Sequence, residues 1–174
     1  MKKIILICCI LLVLSGCGKI DEDKEKMFYD SLEKAYITIY ASDGVGLPVY
    51  SDEKTEINGK TWYLVASSKY NSLSTLVENA ESVYTEEVYD DIEKVISSKY
   101  KEISGELYTT SSGGCLLDYE LTDELSNELK KDFKVKSTSG NKVVFSYNNK
   151  EYTAKKKDNY YVFSEKIFEC STED

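Results

Sequence analysis

The hydrophobic grammar of the chain changes at Tyr100, and that change restricts the fold more than any other feature. Before it, apolar residues recur at three- and four-residue spacing, the period of a helix with one buried face. Phe28, Leu32, Ala35, Tyr36 and Ile39 mark a first helix from Met27 to near Ser42, broken by Asp43-Gly44. Leu73, Leu76, Val77 and Ala80 mark a second, started by Ser72, by Ser74 or by a Thr75–Glu78 capping box. Val88, Ile92, Val95 and Ile96 mark a third, with Thr85 as cap and Glu86 and Glu87 in its first turn. Between the first two, Asn58-Gly59 supplies the positive φ angles of a tight hairpin leading into residues 60–65. Pro48 confines residues 45–50 to a loop or an edge strand.

Beyond Tyr100 the pattern is one of strands. Residues 101–110 and 115–121 flank the flexible turn Ser111-Ser112-Gly113-Gly114. Thr122 is placed to cap a short helix carrying Leu125 and Leu129. A meander then runs through 133–138, 142–147 and 151–156, with turns at Gly140-Asn141 and Asn148-Asn149, and a last strand covers 160–168. Helices followed by antiparallel strands predict an α+β fold, with N-terminal helices packed on a C-terminal antiparallel sheet, as a single domain over residues 27–174.

The N-terminus carries a different message. Lys2 and Lys3 precede an unbroken apolar run over residues 4–14, followed by Leu14-Ser15-Gly16-Cys17. A basic region, a short apolar region and small residues at a cleavage point form an export signal. The run is too short to cross a bilayer, which needs roughly 20 residues. The tetrad is a lipobox, in which the Cys17 thiol takes a diacylglyceryl group before residues 1–16 are removed. Residues 17–26 then read as a polar, lipidated tether, and the mature protein is expected at the outer face of the cell membrane. Two acyl chains, at about 0.8 kcal/mol per buried methylene, make a stable anchor where one does not.

Composition excludes several functions. All 22 basic residues are lysines, against 31 acidic ones; without residues 1–16, which carry two lysines and no acid, the net charge is −11. Such a surface is a poor match for nucleic acid. It also repels anionic lipid and anionic wall polymers, so attachment is expected from the acyl chains alone. The charge either steers a basic protein partner or keeps the domain soluble. The chain has no histidine, which removes the commonest general base and metal ligand. Cys115 therefore has no evident partner to activate it as a nucleophile. Asp118 and Glu120, two apart on an expected strand, read as a solvated stripe rather than a glycosidase pair. Glu86, Glu87, Asp90 and Asp91 read as an exposed acidic helix face rather than a calcium site. No catalytic residue, metal or cofactor is expected. Cys115 and Cys170 either pair or stay free; a bridge would close about 55 residues and stabilise by roughly 4 kcal/mol on the loop-entropy account. Of 15 tyrosines most read as structural, while Tyr108 and Tyr119, flanking the Ser-Gly-Gly turn, are candidate interface anchors.

Three stretches resemble the IseA-type inhibitors of DL-endopeptidases, secreted proteins of Gram-positive bacteria. They are INGKTWYLV at 57–65, YNSLSTLVENAESVYTEEVYDDI at 70–92, and SGELYTTSSGGCLLDY at 104–119. The resemblance implies binding without catalysis: a loop is presented to the cleft of a cysteine peptidase that cuts peptidoglycan stem peptides, and autolysis is restrained. Carried over, the inhibitory loop is Ser111, Ser112, Gly113 and Gly114, with Cys115 at its edge. Ser112 stands where the family has an acidic residue, and Cys115 replaces a hydroxyl residue. The alternative from the residues themselves is an exported lipoprotein that captures a small molecule or serves an envelope complex, for which a deep apolar pocket between helices and sheet would be the sign.

Overall fold

The computed structural model describes residues 21–110 and 114–168. Helix α1, Glu22–Ser42, is capped by the Asp21 carboxylate, which accepts from the backbone N–H groups of Asp23 and Lys24. It thus begins at Glu22 rather than Met27, and residues 22–26 are its first turn instead of tether. Acidic side chains are stabilising at that end of a helix, which the polar composition of this stretch had concealed. Strand β1, Val49–Ile57, turns at Asn58 (φ 53°) and Gly59 (φ 74°) into β2, Lys60–Val65. Helix α2, Leu73–Val83, starts from Ser72, whose hydroxyl accepts the Thr75 N–H. Helix α3, Glu86–Lys99, follows Thr85, whose side chain makes no capping bond.

The expected strand over 101–110 is a hairpin: β3, Tyr100–Ile103, and β4, Glu106–Thr109, joined at Ser104 (φ 56°) and Gly105 (φ 86°). Helix α4, Leu125–Asp132, precedes β5, Lys134–Ser139, β6, Lys142–Tyr147, β7, Lys150–Lys157, and β8, Tyr160–Val162. Thr122 lies a turn before α4 and accepts from Glu124 N–H rather than capping the helix directly.

The α+β class holds, with the strands divided between two antiparallel four-stranded sheets. One has the order β1-β2-β4-β3, and the other is the meander β5-β6-β7-β8. The first forms because both hairpins offer β2 and β4 as neighbours, through Tyr63–Thr109 and Leu64–Tyr108. Residues 115–121 form no strand beyond a single bridge between Cys115 and Gly44. The hydroxyl of Tyr36 accounts for that: it accepts the Tyr119 N–H at 2.9 Å and donates to the Tyr119 carbonyl, the two groups a ladder would use. The last strand ends at Val162, and Ile167 and Phe168 are buried beyond it without ladder pairing.

Helix α1 is the axis of one contiguous core. Phe28, Leu32, Ala35, Tyr36 and Ile39 are fully buried. Its N-terminal half lies on the meander sheet, with Phe28 4.8 Å from Phe145 and 6.3 Å from Tyr161 between ring centroids. Its C-terminal end meets the first sheet, where the Tyr100 hydroxyl accepts from Leu47 N–H and donates to the Ala41 carbonyl. Asn79 of α2 is buried against α1, donating to the Lys34 carbonyl and to Thr38 Oγ1, both at 2.9 Å. The two sheets therefore occupy successive lengths of one helix.

Candidate functional site: the frame of the 111–115 segment

Ser111, Ser112 and Gly113 lie outside the described residues, as do Cys17 and Cys170. The backbone on both sides of residues 111–113 is held by hydrogen bonds. On the incoming side, Thr109 Oγ1 and Thr110 N–H both donate to the Lys99 carbonyl, at 3.0 and 3.3 Å, fixing the end of β4 to the end of α3. On the outgoing side, Cys115 N–H donates to the Asp43 carbonyl at 3.2 Å, just past the end of α1. Three residues thus join two points held by different helices.

Gly114 has a role the sequence did not disclose. A Cβ there would stand 1.6 Å from the Gly44 carbonyl oxygen and 2.8 Å from that of Asp43. One on Gly44 would stand 2.7 Å from the Tyr40 carbonyl oxygen. Gly114 thus lets two backbones touch, while Gly44 keeps a side chain out of the last turn of α1. Gly44 reads in the sequence as a helix stop, which its approach to Tyr40 bears out, and no sequence signal marks Gly114.

Charge reinforces the same junction. Helix α1 has no basic residue in its last turn, and Lys99 of α3 supplies one, its ammonium donating to the carbonyls of Ser42 and Gly44. Burial pushes the Lys99 ammonium below the usual lysine range, against the pull of Asp43. Lys166 meets the Asp43 carboxylate at 2.6 Å. Cys115 is disulfide-bonded, so it offers no thiol for nucleophilic chemistry, and every other cysteine lies outside the described residues.

Two apolar side chains stand open beside the root of the segment. Because Gly44 bridges Cys115 in parallel, the next residues on each strand, Val45 and Leu116, leave the junction in the same direction. They are 44% and 55% exposed; with Tyr50 they are the exposed large hydrophobics among the described residues. Sequence reading missed both, since a lone valine or leucine in a loop carries no period.

The remaining candidates fall elsewhere. Tyr108, on β4, directs its hydroxyl to Glu106 at 3.3 Å and stays partly exposed. Tyr119 packs edge-on against Tyr36 at 5.5 Å and donates to Asp132 at 2.7 Å; burial and that carboxylate push its hydroxyl far up. Tyr119 thus packs on Tyr36 with its hydroxyl held by Asp132. Asp118 accepts from the Tyr147 hydroxyl at 3.1 Å, while Glu120 is exposed off any strand, so their shared strand face does not exist. Among the described residues no group of acidic or cysteine side chains could hold a metal, and no helix is long and apolar enough to cross a membrane. An open cleft of about 330 Å³ lies between α1, the start of β1 and the approach to α4, lined by Ile37, Leu47 and Leu121 but also by Glu33, Lys69 and Tyr70.

No protein-family model matches the chain, and a search of curated proteins finds no match to it.

Proposed function

We propose that this is a lipid-anchored protein of the outer membrane face that binds and inhibits a cell-wall DL-endopeptidase without catalysing a reaction itself. One observation carries the reading: a three-residue segment is strung between two fixed points, with Val45 and Leu116 exposed at its root. A loop held at both ends loses little freedom on entering a cleft. An exposed apolar pair beside it supplies the burial that short polar residues cannot. The lipobox at Cys17 and the absence of histidine support the location and the lack of catalysis.

The test is turbidity loss of purified cell walls by a DL-endopeptidase in the presence of the mature lipoprotein. Saturable, near-stoichiometric slowing is expected, and Gly113→Trp should remove it while the far-UV circular dichroism stays the same. Undiminished wall digestion, with no complex on co-sedimentation, would overturn the proposal.

A second reading has one observation in its favour. The Tyr70 hydroxyl is buried and borders the open cleft, with the Lys69 ammonium as its polar neighbour. An exported lipoprotein that captures a small polar molecule would use such a group. The cleft is mixed in lining rather than deep and apolar, so this reading stands second.

A further inference from the structure

The charge of the molecule is divided between its two sheets. Residues 21–129 carry nine lysines against 24 acidic residues, a net −15, whereas residues 130–168 carry ten lysines against four, a net +6. The register of the meander gathers four of those ten lysines on one face. Val143, Phe145 and Tyr147 of β6 point into the core, so Lys142, Val144 and Ser146 point out. Across from these stand Lys155, Thr153 and Glu151 on β7, and Lys134 faces Ser146 from β5. Lys157 continues the same face, opposite Tyr160. All four of these lysines are exposed, and none forms an ion pair among the described residues.

Lys142 and Lys155 are direct cross-strand partners. Like charges placed opposite each other weaken a sheet, and no acidic side chain relieves this pair. A face that keeps repulsive neighbours on a protein of net negative charge is built to meet anions. Its position says which. The N-terminal half of α1 packs on the other side of this sheet, and Cys17 lies four residues before Asp21, a contour of at most about 14 Å. The first turn of α1 is acidic, but Lys24 and Lys26 pair there with Asp21 and Asp30.

We infer that the outer face of the meander sheet, through Lys134, Lys142, Lys155 and Lys157, binds the anionic phospholipid headgroups of the membrane that carries the anchor, and so sets the orientation of the domain. This rests on the lipid-anchored location proposed above. Cationic side chains near such a surface act together, while the acidic remainder is repelled from it.

The experiment places the mature acylated protein in vesicles of phosphatidylcholine alone or of phosphatidylcholine with phosphatidylglycerol, and follows acylation of individual lysines by mass spectrometry. In the anionic vesicles labelling of Lys142, Lys155 and Lys157 should slow about tenfold, with Lys60 and Lys101 of the first sheet unchanged. The protection should vanish near 1 M salt, where screening reaches about 3 Å. Lys142→Glu should lose much of the protection and yet melt at a higher temperature, because it converts a repulsive pair to an attractive one; a merely structural lysine would behave oppositely. Equal labelling on both vesicles, with the protein floating on both, would overturn the inference and leave the anchor intact. Failure to float with either lipid would overturn the anchor and the inference together. Protection appearing only with soluble poly(glycerol phosphate) would reject the lipid surface in favour of a phosphate polymer.

Discussion

Tyrosine hydroxyls cross-link this molecule where secondary structure does not. Tyr29 donates to the Phe133 carbonyl at 2.9 Å and Tyr84 to that of Ala35 at 3.2 Å. Tyr36 and Tyr100 each serve both a backbone N–H and a carbonyl. Removing the Tyr36 hydroxyl leaves two part-buried backbone groups unpaired, so Tyr36→Phe should cost about 1–3 kcal/mol in urea unfolding. Burial raises the hydroxyls of Tyr36, Tyr84 and Tyr100, the last to about 12, against a usual value of 10.0. For Tyr100, the Leu47 N–H and the Thr109 hydroxyl oppose the rise and Tyr40 adds to it. The folded state therefore holds protons that the unfolded chain gives up. Their stabilising effect is complete below about pH 10 and declines as pH rises toward the folded values. Alkaline titration should show exposed tyrosines such as Tyr50 ionising first, and a later fraction of tyrosinate absorbance appearing together with loss of helical dichroism; completion of the whole absorbance change with the fold intact would contradict this account. Gly114→Ala should destabilise by about 1–3 kcal/mol, since neither backbone it strikes can yield.

At the scale of elements, legibility followed locality. Lys142→Glu should stabilise the meander by about 0.2–1 kcal/mol in thermal unfolding, an expectation that could be drawn only once the register was known. Asn58-Gly59 announced its hairpin because its turn chemistry lies in two adjacent residues. Ser104-Gly105 offered the same signal in weaker form and was absorbed into one long strand. The helices were legible from their apolar period, and α1 was misplaced only at its start, where acidic residues look like solvated linker. Residues 115–121 deceived for a different reason. They alternate between exposed and part-buried as a strand does, but Tyr36, more than 80 residues earlier in the chain, occupies the backbone groups of Tyr119. No local pattern carries that information. The same limit hid the contact of Gly44 with Gly114, and with it the frame on either side of the segment.

For the molecule as a whole, what sequence composition averages away the fold separates. A net charge of −9 for the full chain conceals an acidic body and a basic sheet, because only the pairing of β5 to β8 brings those lysines to one side. Helix α1 also fixes a length scale. Its 21 residues span about 31 Å, with the lipid attachment expected just before one end and the 111–115 segment joined to the other. On the proposed anchoring, that length limits how far α1 can carry the segment from the lipid, so only enzymes operating within a few nanometres of the bilayer come within its range. Hydrolases cutting the outermost wall would pass unchecked.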